Sequence, residues 1–108
     1  MVLSSLSKSL RHKLDKAGLN APDYIFGITS TGFLDLRHLS DILAQLPHGT
    51  CELVCHPGYL DGQLMQTPTR LLKQREMEIS ALTQPQVKDW IKQRDIHLIN
   101  YRQLNEGA

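Results

Sequence analysis

Apolar residues recur along this chain at two periods, and the changes between them mark out its elements. Leu3, Leu6, Leu10 and Leu14 are spaced by three and four, with Lys8, Arg11, Lys13 and Lys16 on the other faces, which predicts an amphipathic helix over 3–17. Gly18 is placed to stop it, and Pro22 lies beyond. Residues 24–28 read as a short strand and 29–32 as a polar turn. Leu36, Leu39, Ile42, Leu43 and Leu46 form a second helical stripe over 35–46, ended by Pro47 and Gly49. Residues 51–56 follow as a strand whose consecutive Leu53, Val54 and Cys55 suit burial on both faces.

Beyond this strand, 57–67 read as a loop and 68–81 as a third helix. Thr83 is a candidate N-cap for a fourth helix, with Pro85 in its first turn and Val87, Trp90 and Ile91 on its buried side. The alternation over 96–101 predicts a last strand, and 105–108 a frayed tail. Strands alternating with helices imply parallel pairing through crossovers. The expected fold class is therefore α/β: a partial (β/α) barrel of about three parallel strands with four helices, in one domain over 1–108. A full barrel takes eight strands and ~250 residues.

The sharpest local feature is the run from Glu52 to Asp61, Glu-Leu-Val-Cys-His-Pro-Gly-Tyr-Leu-Asp. A residue before proline is pushed to extended conformations, so His56 stays on the strand; Pro57 then ends it and Gly58 permits a sharp turn. An imidazole is thus expected at the carboxyl end of a strand, where α/β folds keep their chemistry.

Composition narrows the function classes. The chain has 108 residues and a net charge of +1 with its five histidines neutral, which offers no electrostatic case for nucleic acid or an anionic membrane. No apolar run approaches the ~20 residues of a membrane span, and residues 1–10 lack the apolar core of a signal peptide; a cytoplasmic location is expected. Cys51 and Cys55 are four apart on one expected strand, roughly 13 Å at about 3.3 Å per residue, too far for a disulfide. Both read as reduced. A zinc site on Cys51, Cys55 and His56 is a weaker reading, because no CxxC pair or second nearby histidine accompanies them.

Three segments together are similar to the C-terminal part of the YdjC-like carbohydrate deacetylases, which include chitooligosaccharide deacetylases and hopanoid-biosynthesis-associated proteins. The first is Phe26-Gly27-Ile28 with Thr31 and Gly32 ahead of a leucine-rich helix. The second is the CHPGY segment ending at Asp61. The third is Arg75-Glu76-Met77-Glu78 with Ile79 and Leu82, followed by Pro85 and Val87. The resemblance spans roughly residues 10–104. It implies a (β/α) barrel that hydrolyses the acetamide of N-acetylated sugars with a divalent metal, magnesium or zinc. That metal sits on an aspartate of an Asp-Asp motif and on two histidines. This chain has neither an Asp-Asp pair nor a His-x-His, so no metal ligand carries over; the metal is expected only in the complete barrel, and this chain is expected to be inactive alone.

What does carry over is His56 as the catalytic residue, with Asp61 toward the sugar and Pro57, Gly58, Arg75 and Glu78 in support; Tyr59, in the loop after His56, is the candidate to stack on the sugar. A histidine suits the protonation of a leaving amine because its pKa of ~6.5 lies near working pH. The plainer alternatives are a histidine that only pins its turn, an Asp61 that only caps a loop, and an Arg75–Glu78 surface pair. The implied partners are the missing N-terminal half of the barrel, or a second copy in a homodimer that covers the open sheet. The alternative function is a stand-alone, non-catalytic homo-oligomeric module.

Overall fold

The computed structural model describes residues 3–5, 7–27, 34–69 and 72–106. They form an α/β fold of six helices and a small mixed sheet. Strands β1 (Leu3–Ser5), β2 (Tyr24–Phe26) and β3 (Cys51–Leu53) lie in that order across the sheet. β1 pairs antiparallel with β2, and β2 pairs parallel with β3 in the register Tyr24 to Cys51 and Phe26 to Leu53. The helices are α1 (Lys8–Ala17), α2 (Leu36–Ala44), α3 (Gly62–Gln66), α4 (Lys73–Leu82), α5 (Pro85–Gln93) and α6 (Tyr101–Asn105).

The sheet departs from three parallel strands in two places. Residues 3–5, expected as the first turn of a helix, are instead β1. Serine favours caps over helix interiors, and Ser7 is extended and accepts the Leu10 N–H, so the helix starts only at Lys8. Gly18, at φ 69°, ends it, and Leu19 closes back on the Leu14 carbonyl. Residues 96–101 are not a strand. The Ile96 N–H is taken by the Ile91 carbonyl at the end of α5, and a capping box at Asn100 turns the chain into α6. A cleft of about 610 Å³, lined by Leu43, Leu46 and Leu53 on one side and Ile96 and Leu98 on the other, separates this segment from β3. The alternating pattern signals a two-sided extended segment but supplies no pairing partner.

Helix count and boundaries differ as well. The expected 57–67 loop contains α3, nucleated by Asp61, whose carboxylate accepts the Leu64 N–H at 2.8 Å. Helix α4 consequently begins at Lys73 rather than 68. Thr83 closes α4, its hydroxyl donating to the Ile79 carbonyl at 2.7 Å; Gln84 caps α5, with Pro85 as its first residue. The turn expected over 29–32 lies outside the described residues.

The core is one cluster of Phe26, Leu34, Leu39, Ile42 and Val87, with Trp90 and Ile91 packed against it. Each large side chain removed from water here contributes about 1.5–3 kcal/mol. Helix α2 brings Leu39 and Ile42 onto the sheet because Asp35 caps it, accepting the His38 N–H at 2.8 Å. Among the described residues, no helix is long and apolar enough to cross a membrane.

Candidate functional site

Parallel pairing brings the carboxyl ends of β2 and β3 to one edge of the sheet. The ladder runs one bond past the strands, from the Val54 N–H to the Phe26 carbonyl at 2.9 Å. Gly27 makes this approach possible. It sits at φ 91°, and a Cβ there would lie 2.6 Å from the Val54 carbonyl oxygen. The strand expected over 51–56 stops at Leu53, because beyond Val54 the backbone N–H of His56 goes to a side chain and not to β2; His56 lies three residues past the strand and not on it.

Glu78 of α4 holds this edge together. Its side chain is 1% exposed. One carboxylate oxygen, Oε1, accepts the His56 backbone N–H at 2.6 Å, and the other, Oε2, accepts the Leu34 N–H at 3.2 Å. A single buried anion thus ties the segment after β3 to the segment entering α2. One helical turn earlier, the Arg75 carbonyl accepts the Gly58 N–H at 3.1 Å. Both sides of the His56-Pro57 unit are therefore anchored to α4, and Pro57 has no N–H to satisfy.

The imidazole of His56 is different. Its Nδ1 is buried and has no hydrogen-bond partner among the described residues. A buried polar atom left without a partner is rare in folded proteins and calls for an explanation.

The other expected site residues are less drawn in. Tyr59 is 73% exposed. Asp61 is also exposed, its carboxylate occupied as the cap of α3. Glu52, on β3, accepts a hydrogen bond from the Tyr101 hydroxyl at the start of α6. Cys51 and Cys55 are free thiols. Burial pushes both pKa values up, helped at Cys55 by the charge of Glu78. Among the described residues, no three His, Cys, Asp or Glu side chains are grouped to hold a metal ion.

Sequence reasoning placed Glu78 beside Arg75 but did not see Leu34 as its second donor. One signal was available: Glu78 stands three and four residues before Ala81 and Leu82, both drawn into the interior, so a charged residue occupies an inward position.

Comparison with known proteins adds the following. The profile of the YdjC-like protein family matches residues 2–93. A carbohydrate deacetylase of Thermoanaerobacter pseudethanolicus (strain ATCC 33223 / 39E) is 35% identical over 92 residues, 84% of this chain and 36% of that protein. A carbohydrate deacetylase of Geobacillus stearothermophilus is 31% identical over 95 residues, 86% of this chain and 36% of that protein. One from Clostridium beijerinckii is 34% identical over 53 residues, covering 49% and 21% respectively. The chain spans at most 36% of the length of these relatives. No solved structure matches it significantly.

Proposed function

The chain belongs to the YdjC-like protein family, and from that premise we propose that it is one portion of a carbohydrate deacetylase barrel, contributing the proton donor for amide hydrolysis of an N-acetylated sugar. The observation that carries this reading is the state of His56: a backbone fixed three residues past the carboxyl end of β3 and a buried Nδ1 with no partner among the described residues. An imidazole so placed can take an orienting partner on Nδ1 and present Nε2 to a substrate.

In the hydrolysis, water adds to the acetyl carbon and the carbon–nitrogen bond breaks. The nitrogen leaves with the proton supplied by Nε2 of His56, giving acetate and a free amine. The imidazole then recovers a proton from the water that was consumed. Tyr59, exposed three residues on, is positioned to stack on a sugar ring. The described residues do not fit a divalent metal. Activation of the water is therefore assigned to the part of the relatives' length that this chain does not span, and the chain alone is expected not to release acetate.

The test is a chimera in which this chain replaces the matched segment of the Thermoanaerobacter deacetylase, assayed for acetate release from N-acetylglucosamine oligomers. The expected result is turnover that falls by about 10²-fold or more with His56→Ala, the size of a lost general acid. A chimera without turnover, or one indifferent to His56→Ala, overturns the proposal.

A second reading, a self-associating module without catalysis, is favoured by α1. This helix buries none of its residues, and Leu10 on its apolar stripe is 44% exposed. Light scattering at high micromolar concentration checks it; a strict monomer sinks it.

A further inference from the structure

We propose that Glu78 is a positioning residue whose buried carboxylate sets the station of the His56 imidazole by clamping the chain that follows β3 to the chain that enters α2. The inference rests on the reading of His56 as the proton donor. It adds a residue that acts through another and touches neither substrate nor reacting atoms.

The argument begins with what holds the ring. Nδ1 makes no hydrogen bond among the described residues, so the ring's position follows from its own backbone and packing. That backbone is fixed at two points, the His56 N–H on Glu78 and the Gly58 N–H on the Arg75 carbonyl, both on α4 and one turn apart. Between them Pro57 locks its own φ. Little freedom remains at the Cα of His56 beyond what Glu78 permits.

The chemistry of the clamp matters equally. Burying a carboxylate costs several kcal/mol of desolvation unless hydrogen bonds offset it. Glu78 has an acceptor oxygen for each of two N–H groups, and the bond to His56, at 2.6 Å, has the short length of a charge-assisted one. Glutamine would offer one acceptor and turn its NH₂ toward the other N–H, losing one tie and opposing two donors. Aspartate, a methylene shorter, would not span both. Because Leu34 leads into α2 and His56 follows β3, the clamp also fixes the chain after β3 against the start of α2, at the end of the sheet where α/β folds bind ligands.

The experiment is nuclear magnetic resonance on the full chain labelled at histidine and backbone nitrogen. Loss of one of the five histidine ring signals in His56→Gln identifies the His56 ring. In Glu78→Gln, with amide dispersion retained, the expected result is loss or displacement of the Leu34 and His56 amide signals together with a shift or splitting of the His56 ring signal, while the ring of exposed His97 keeps its position. Glu78→Asp should give the same changes to a smaller extent. A His56 ring signal that stays at the wild-type position while the two amides move would overturn the proposal, leaving Glu78 as a staple of the fold only.

Should both variants fail to fold, hydrogen exchange in the wild type decides. The clamp requires both the Leu34 and the His56 amides to be protected relative to their unfolded-chain exchange rates, and lack of protection at either overturns it. These measurements read the resting imidazole, so their failure is distinct from a failure of acetate release in the chimera.

Discussion

The Glu78 carboxylate accepts the backbone N–H of His56 at 2.6 Å from a helix 22 residues further along the chain. The same carboxylate accepts from Leu34, 44 residues back. Two long-range ties thus meet on one buried group. Glu78→Ala leaves both N–H groups without their acceptor; the buried Leu34 donor then costs about 1–3 kcal/mol, while the half-buried His56 donor can turn to water. The expected loss of stability is about 1–3 kcal/mol in urea unfolding, and a change under about 0.5 kcal/mol, the range of ordinary surface substitutions, would contradict the burial.

The thiol of Cys55 reports on the same anion. Its pKa is raised from the ordinary 9.0 first by burial and second by the charge of Glu78. A raised acid holds its proton in the folded state, so this contribution to stability is present below 9.0 and fades as pH rises through the folded value. Alkylation of Cys55 by iodoacetamide at pH 8 should be slower than in the urea-unfolded chain. Glu78→Gln, where folded, should speed it, because one of the two raising causes is gone. An unchanged rate in that variant would place the Glu78 charge away from the sulfur.

Asp35 shows the opposite sign. Hydrogen bonding from the His38 backbone N–H is the largest cause holding its carboxyl below the ordinary 3.8. Its stabilisation is therefore present above 3.8 and is lost as pH falls through the lower folded value. Asp35→Ala should destabilise the fold by about 1 kcal/mol at neutral pH, the usual worth of an N-cap, and the gap between variant and wild type should narrow as pH falls below 3.8. Thermal unfolding followed by circular dichroism at a series of pH values measures both.

These residues also show how much of the molecule was legible in advance. Helix α2 was, because its 3.6-residue apolar stripe is clean, and so was α5, whose Pro85 fixes its start; that Asp35 caps α2 from outside the helix is visible only in the structure. The stripe Leu3, Leu6, Leu10, Leu14 misled, because periodicity cannot report that Ser4 and Ser5 find a neighbour in Ile25 and Tyr24. Residues 96–101 failed in the converse way: alternation without a partner is not a strand. The Pro-Gly pair puts His56 on the strand itself, whereas β3 stops at Leu53 and its ladder at Val54, so the imidazole stands three residues beyond the strand, where Glu78 and not the sheet holds its N–H. The clamp could not be read in advance, because a glutamate's two acceptors become specific only when the fold brings Leu34 and His56 to the same helix.

Gly27 is a backbone requirement that no side-chain pattern announces. At φ 91° an L-residue is strained, and the Cβ of alanine would sit 2.6 Å from the Val54 carbonyl oxygen. Gly27→Ala should therefore cost about 2 kcal/mol or more, the sum of an unfavourable dihedral and a forced separation of β2 from β3. Its effect should extend to the site. Moving Val54 away from Phe26 displaces the chain that leads to His56, so the His56 amide signal should shift along with the loss of stability. A stability within about 0.5 kcal/mol of wild type would mean that the strands close without this glycine.

The contact between Tyr101 and Glu52 makes the last test, because it fixes a segment that the family match does not reach. The phenol donates to the Glu52 carboxylate on β3, and at the other end of α6 the Asn20 side-chain amide donates to the carbonyl of Leu104 at 3.2 Å. A five-residue helix has little stability of its own, so these ties hold it against the domain. The Tyr101 phenol is raised above the ordinary 10.0 chiefly by its hydrogen bond to Glu52, so the contact stabilises the fold below pH 10.0 and is lost as pH climbs through the folded value. Glu52→Gln should bring the phenolate absorbance at about 295 nm in at lower pH. Tyr101→Phe removes one exposed hydrogen bond, about 0.5 kcal/mol at the low end of the usual range, and should speed amide exchange in α6 roughly twofold while leaving α2 untouched. If exchange in α6 is already unprotected in the wild type, the tie between Tyr101 and Glu52 does not hold the helix in solution, and the wall that residues 96–99 give the cleft opens with it.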